Sequence, residues 1–187
     1  MQNTSEKDLI LLIKKGDQKA FREIAAIYYE KLYLFMWRRT GDDQIAYDLL
    51  QDLFLNVWKR REELDPGKSF KAYLYSAANN LAINHFKSLK IRGKYFSENA
   101  EEIEHKSSQN PAEFHEYLED VLYGLPQEQK SVFILNKFDG FKYSEIAEML
   151  DISVKTVESR MAKILKTLRE KLGPLLIVLA AFLTGFK

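Results

Sequence analysis

A group of small and polar side chains near the C-terminal end of the chain has the types and spacing that DNA recognition requires. Five of them are expected to reach base edges in a major groove, where donors and acceptors distinguish every base pair. They are Lys155, Glu158, Ser159, Ala162 and Lys163. Thr156 and Arg160 are expected to hold phosphates near the N–H groups of a helix N-terminus. On spacing alone, a helical hairpin with a solvated basic face is the alternative.

These side chains need a helix that a second helix supports. Apolar residues recur at three- and four-residue steps from Val154 to Leu172, which predicts an amphipathic helix. Ser153 is a suitable N-cap for it, and the segment from Tyr143 to Leu150 predicts a shorter helix before a tight turn. This order is typical of a helix-turn-helix, whose second helix enters the major groove.

A second group lies on a helix that is predicted to run from about Ser69 to Lys90. It combines an aromatic ring, a hydroxyl, two amides and an amine. This combination suits single-stranded DNA, whose unstacked bases stack on aromatic rings and whose phosphates bind to positive charge. The group comprises Tyr73, Ser76, Asn80, Asn84 and Lys87. The residues alone favour the alternative that Tyr73 is a core ring with its hydroxyl at the surface.

A third group lies on a helix predicted from about Asp43 to Arg61, opposite its apolar stripe. An apolar side chain at the centre of an acidic, amide-bearing face suits docking to another protein. The side chains fall within about 100° of one another around the helix. They are Asp48, Gln51, Asp52, Leu55 and Lys59. The alternative is a solvated face with one exposed leucine, which is common.

The remaining reactive residue types form no catalytic or metal-binding pattern. The chain has no Cys, and His85, His105 and His115 lie far apart. It also lacks a Gly-rich phosphate loop and a Ser-nucleophile motif. We therefore expect no enzymatic activity, no cofactor and no metal ion. The missing Cys fits a reducing compartment, and the N-terminus carries no recognisable secretory signal.

The 187 residues have a formal net charge of +1, but the charges are segregated. Residues 79–96 contain four basic and no acidic residues, and residues 153–172 contain six basic and two acidic ones. Residues 97–120 contain eight acidic residues and one basic residue. The pattern predicts an all-α protein with two small helical domains, at residues 1–95 and 117–173, joined by a flexible acidic linker at 96–116. The apolar tail at 174–187 is too short to span a membrane and is expected to be buried against its own domain or a partner.

Both halves resemble the extracytoplasmic-function (ECF) sigma factors, the small members of the sigma-70 family of RNA polymerase subunits. In the C-terminal half, the resemblance to sigma domain four is carried by Leu125, Pro126, Gly140, Glu145, Ile146, Ala147, Thr156, Val157, Ser159 and Arg160. In the N-terminal half, the resemblance to domain two is carried by Asp48, Leu49, Gln51, Asp52, Phe54, Val57, Trp58, the segment 70–75 and Asn80. The two halves also occur in the order that the family has.

The resemblance implies a role for each group. The first would recognise the −35 promoter element through the helix-turn-helix. The second would bind the −10 element, where Asn80 and the loop from Leu64 to Ser69 would hold a flipped base. The third, together with Trp58, would bind core RNA polymerase. The implied partners are core RNA polymerase, promoter DNA and an anti-sigma factor, with a membrane-bound one among the options; the resemblance implies a cytoplasmic protein with no small-molecule substrate.

Some positions depart from the family pattern. Tyr73 stands where the family usually has Trp, and Asp151 stands where the turn usually has Gly. Asn84 and Lys87 replace the usual Asp and Arg. The alternative function is a helix-turn-helix transcription regulator that acts without core polymerase.

Overall fold

The computed structural model describes residues 5–91, 121–122 and 124–172. All regular elements within these ranges are helices, as the periodicity predicted. The chain divides into two compact units, Met1–Ala82 and Ile83–Lys187. The predicted domain boundaries at residues 95, 116 and 173 lie outside the described residues, as do the acidic linker and the apolar tail.

The first unit contains three complete helices and most of a fourth. They are α1 (Glu6–Lys14), α2 (Gln18–Thr40), α3 (Asp43–Lys59) and α4 (Phe70–Ile91), and α4 continues beyond the end of the unit. A 3₁₀ helix, Arg61–Glu63, follows α3. Helix α3 ends at Lys59, two residues before the predicted end at Arg61. Beyond Lys59 the chain follows the tighter i,i+3 pattern, since the Glu63 N–H bonds to the Arg60 carbonyl at 2.9 Å.

Short polar side chains begin the helices of this unit. The Ser5 Oγ accepts from the Asp8 N–H at 3.2 Å, so Ser5 is the N-cap of α1. Asp17 caps α2 and Asp42 caps α3 in the same way. Between α2 and α3, Gly41 has a φ of 69°, a left-handed conformation that glycine adopts without steric strain.

The core of the first unit is formed by the apolar stripes of all four helices. Each fully buried Leu, Ile or Phe contributes about 1.5–3 kcal/mol relative to exposure. The completely buried apolar side chains are Ile13, Leu32, Phe35, Met36, Ala46, Leu53, Leu74, Ala78 and Ala82. These stripes orient the opposite faces of α3 and α4 outwards, and those faces carry the predicted binding residues.

A buried polar pair joins α2 to α4. Arg39 is 0% exposed, and its Nη1 donates to the Asn79 Oδ1 at 2.9 Å. The guanidinium also lies 5.7 Å from the centre of the Phe35 ring. A buried cation is stable only where hydrogen bonds replace water, so this pair specifies how the two helices pack.

The second unit contains three further complete helices within its described residues. They are α5 (Gln127–Lys137), α6 (Tyr143–Leu150) and α7 (Val154–Leu172). The Asn136 Nδ2 donates to the Phe141 carbonyl at 2.9 Å and thereby fixes the connection between α5 and α6. The buried core residues of these helices are Val132, Phe133, Ile134, Leu135, Ile146, Val157, Met161, Ile164 and Leu168.

Candidate functional site

The turn between α6 and α7 has the geometry of a helix-turn-helix. Asp151 ends α6 in a left-handed conformation with a φ of 52°, which an Asp side chain tolerates better than most. The Ile152 N–H returns to the Ala147 carbonyl at 3.0 Å. The Ser153 Oγ accepts from the Thr156 N–H at 3.0 Å, so Ser153 is the N-cap of α7, as predicted. The start of α7 therefore has a defined direction relative to α6.

The outer side of α7 carries the side chains that were predicted to reach base edges. Its inner stripe is buried, which leaves the opposite side open. We call the exposed set the α7 face; it consists of Lys155, Glu158, Ser159, Ala162 and Lys163. All five are exposed and lie within the first ten residues of the helix, about 15 Å of its length at 1.5 Å per residue.

The two predicted phosphate contacts differ from the α7 face. Thr156 and Arg160 are both half-buried. The Thr156 hydroxyl lies 2.8 Å from the Ser153 Oγ, so it already takes part in the cap of α7. Tyr143, at the start of α6, has a pKa that is raised by burial and then by the negative charge of Glu158. Glu158 thus brings a negative charge to an otherwise basic surface.

The polar side of α4 forms a row along one helix. We call it the α4 face; it consists of Tyr73, Ser76, Asn80, Asn84 and Lys87. Ser76 is half-buried, and the other four are exposed. The steps of three, four, four and three residues keep the row on one side of the helix over about 21 Å.

Tyr73 is the residue for which the sequence left two interpretations. It is 36% exposed, and its ring stacks on Phe70 with centroids 6.0 Å apart and an interplanar angle of 25°. Burial raises the pKa of Tyr73; the charge of Arg60 lowers it and that of Glu63 raises it. Tyr73 is therefore a surface ring supported by a core ring. This arrangement leaves part of its π-face available for stacking.

The segment between α3 and α4 is ordered by its own hydrogen bonds. The Asp65 Oδ1 accepts from the Gly67 N–H at 2.8 Å, and the Asp65 carbonyl accepts from the Lys68 N–H at 3.1 Å. The Ser69 Oγ accepts from the Ala72 N–H at 3.2 Å and caps α4. Leu64 is buried. The loop that was predicted to hold a flipped base is thus a defined turn that leads directly into the α4 face.

The predicted polymerase-binding residues lie on the outer side of α3, and we call Asp48, Gln51, Asp52 and Leu55 the α3 face. All four are exposed, and Leu55 is 49% exposed in the middle of this polar surface.

Trp58, the fifth predicted polymerase-binding residue, has a different environment. It is half-buried, its ring centroid lies 5.1 Å from that of Phe21, and the Arg61 guanidinium lies 5.0 Å above its ring. Trp58 therefore forms the edge of the α3 face next to α2.

An aromatic row between α2 and α3 was not predicted as a unit. Its neighbouring rings have centroids 5.1–6.3 Å apart, in edge, tilted and stacked arrangements. It consists of Trp58, Phe21, Phe54, Tyr29, Tyr47 and Tyr33. Phe54 is half-buried in this row. Helical spacing of rings in each helix could have predicted the two halves, but not their pairing.

Metal-binding clusters and membrane-spanning helices are both absent from the described part of the chain. Among residues 5–91, 121–122 and 124–172, no group of three or more His, Asp and Glu residues could hold a metal ion. None of the helices in the described part of the chain is long and apolar enough to cross a membrane.

Two family models match the chain in consecutive order. Sigma-70 region 2 matches residues 24–91, and Sigma-70, region 4 matches residues 115–168. The first range contains the α3 and α4 faces, and the second contains α6, the turn and the part of α7 that carries the α7 face. Together the two matches cover well over half of the sequence.

Known proteins resemble the chain over most of its length. It is 28% identical over 182 residues to the ECF RNA polymerase sigma factor SigW of Bacillus subtilis (strain 168), covering 90% of this chain and 97% of SigW. In an alignment 188 positions long it is 26% identical to the ECF RNA polymerase sigma-E factor of Escherichia coli (strain K12), covering 94% of this chain and 98% of sigma-E.

Solved structures share the fold. CnrH, in complex with the cytosolic domain of CnrY, superposes with a TM-score of 0.69 at 21% identity, covering 89% of this chain and 96% of CnrH. The sigma factor RpoE from Bartonella quintana, in complex with the anti-sigma factor NepR, has a TM-score of 0.65 at 21% identity, covering 83% of this chain and 98% of RpoE. The two family models, which together match well over half of the chain, and the relatives that match it over almost their whole length show that the chain belongs to the sigma-70 family, as an ECF RNA polymerase sigma factor.

Proposed function

We propose that this sigma factor binds core RNA polymerase through the α3 face and directs it to promoters through two separate DNA-binding faces. The α7 face recognises the −35 element, with Thr156 and Arg160 beside it on the phosphates. The α4 face binds the −10 element once its strands separate. Trp58 completes the polymerase-binding surface at the edge of the α3 face. The protein acts in the cytoplasm, where core polymerase and chromosomal DNA meet.

The α4 face is the observation that carries this proposal. A helix-turn-helix alone would serve equally well in a regulator that acts without polymerase. Such a regulator has no use for a half-exposed ring with amides and an amine in one row, whereas single-stranded DNA binds to this combination. Tyr73 supplies the stacking surface, Asn80 and Asn84 supply hydrogen bonds, and Lys87 supplies charge for phosphate.

The α3 face supports the assignment of the polymerase contact. Asp48 and Asp52 give it negative charge, and Leu55 supplies an apolar centre. A protein interface of this type combines an apolar contact at its centre with a polar rim. We also propose an anti-sigma factor as a partner, because the sigma factor RpoE from Bartonella quintana was solved with one bound.

Run-off transcription with purified core polymerase tests the proposal. Adding the chain should start RNA synthesis from a promoter selected from a randomised DNA library. The double variant Asp52→Lys with Leu55→Ala should abolish this activity, because it reverses one charge and removes the apolar centre of the α3 face. Glu30→Lys, a charge reversal at an exposed position on α2, is the matched control.

Two results would contradict the proposal. If the chain selects and binds a DNA site but never activates core polymerase, the regulator alternative is correct. If the α3 double variant keeps its activity while its fold is intact, polymerase binds through a different surface.

A further inference from the structure

We propose that Lys14 of α1 is a positioning residue for the loop of residues 64–69, and that it sets which base the loop accepts from the opened −10 element. This inference rests on the proposed function, because it assumes that the loop and the α4 face bind the −10 strand. It concerns a residue outside the three faces, on a helix for which the sequence predicted no role.

The Lys14 ammonium makes two hydrogen bonds to backbone far away in sequence. Its Nζ donates to the Glu62 carbonyl at 2.8 Å and to the Leu64 carbonyl at 2.5 Å. These partners lie 48 and 50 residues further along the chain. The two bonds join the last turn of α1 to the end of the 3₁₀ helix, where the loop begins.

These carbonyls lie where helical hydrogen bonding stops. The carbonyls at the end of a helix have no partner within it and need a donor from elsewhere. Lysine side chains commonly serve this purpose, and the ammonium is also attracted to the negative end of the peptide dipoles. Lys14 supplies both effects and thereby fixes the direction in which the chain leaves Leu64.

The rest of the loop is held mainly by hydrogen bonds within itself. Asp65 accepts from the Gly67 and Lys68 N–H groups, and Pro66 has a fixed φ. Such a unit keeps its shape when it moves, so its position depends on its attachments. Buried Leu64 and the Ser69 cap attach it from its own ends, whereas Lys14 attaches it from α1.

The position of the loop start is linked to the α4 face. Arg60 Nε and Nη2 both bond to the Glu63 Oε2, at 2.9 and 2.7 Å, and the charges of both residues act on the Tyr73 hydroxyl. A shift of the 3₁₀ helix would therefore change the surroundings of Tyr73 as well as the loop. Lys14 keeps these groups in one arrangement, which a base-specific pocket requires.

Removing the ammonium should alter the choice of one base rather than the binding of polymerase. Lys14→Met keeps most of the side-chain length but leaves two carbonyls without their donor. Lys14→Arg keeps a donor of similar reach. Lys15→Met is the matched control, because Lys15 is the exposed neighbour at the C-cap of α1.

The experiment selects single-stranded DNA from a library with six randomised positions, using the full chain bound to core polymerase. The wild type should enrich a defined sequence. Lys14→Met should reduce the preference about tenfold at one position and leave the other positions unchanged, with normal affinity for core polymerase. Lys14→Arg and Lys15→Met should select like the wild type. If Lys14→Met does not fold, Lys14→Gln, with a shorter donor, is measured in its place.

Each contrary result has a distinct meaning. Selection by Lys14→Met that equals the wild type overturns the role of Lys14 and leaves the proposed function intact. A uniform loss over all positions, together with weaker polymerase binding, shows a structural role and also overturns the inference. If the wild type selects no sequence, the −10 assignment of the α4 face fails, and the inference fails with it.

Discussion

Arg39 and Asn79 form a hydrogen bond in the interior of the first unit, with 2.9 Å between Nη1 and Oδ1 and both side chains buried. The bond connects α2 with α4. Asn80, the next residue, is exposed on the α4 face. Under the proposed function, the two adjacent asparagines have different tasks, since Asn79 joins α4 to α2 and Asn80 binds DNA.

Asn79→Ala and Asn80→Ala should separate these tasks. Asn79→Ala removes one acceptor from a buried cation and should lower the free energy of unfolding by about 1.5–3 kcal/mol. Asn80→Ala should change it by less than about 0.5 kcal/mol, yet weaken binding to −10 single strands. Urea unfolding and oligonucleotide binding measure the two effects. Equal losses of stability in both variants would contradict this division.

Ser153→Ala tests the N-cap of α7. The substitution removes the acceptor of the Thr156 N–H and should cost about 1 kcal/mol of stability. It should also weaken −35 binding, because the start of α7 frays. Ser144→Ala, at an exposed position of α6, is the control and should have little effect. Thermal unfolding and a gel-shift titration with −35 duplex provide the measurements, and an unchanged melting temperature in Ser153→Ala would contradict the prediction.

Arg160→Ala tests whether this half-buried residue holds a phosphate. Loss of one phosphate contact should reduce the slope of log affinity against log salt by about 0.9, with similar loss for every sequence. Lys166→Ala is the control, because Lys166 lies further along α7 and pairs with Glu170 at 3.7 Å. Gel-shift titrations at several salt concentrations give the slopes. A slope that stays at the wild-type value would assign Arg160 to packing.

The stabilising contribution of Tyr33 should be lost at alkaline pH. Its hydroxyl donates to the Asp43 Oδ1 at 2.5 Å, and this hydrogen bond is the largest of the effects that raise the pKa of Tyr33 from 10.0 to about 12. Above pH 10 the unfolded chain releases a proton that the folded protein retains. Stability from this group is therefore complete below pH 10 and is lost as the pH rises towards about 12.

Tyr33→Phe and Asp43→Asn check this pH dependence. Urea unfolding between pH 9 and pH 11.5 (about the range that the shift covers) should show a shallower decline in Tyr33→Phe than in the wild type. Asp43→Asn should return the pKa of Tyr33 towards its ordinary value. Parallel stability curves for the wild type and Tyr33→Phe would show that the bond to Asp43 has no influence.

Helical periodicity was sufficient to predict the α3, α4 and α7 faces. Side chains three and four residues apart lie on the same side of a helix, so the exposed row from Tyr73 to Lys87 follows from spacing once the helix is recognised. The caps Ser5 and Ser153 were predictable for the same reason, because a cap acts on N–H groups two or three residues ahead. The family resemblance then supplied roles that spacing could not.

The sequence by itself determined which helices form and which side of each is apolar, because these are local properties. Only the tertiary structure decided which residues of different elements contact one another. The bonds of Lys14 to Glu62 and Leu64, the pairing of Arg39 with Asn79 and the meeting of Phe21 with Trp58 join residues 37 to 50 positions apart. Such partners are chosen by how helices pack in three dimensions, and no period along the chain encodes that choice.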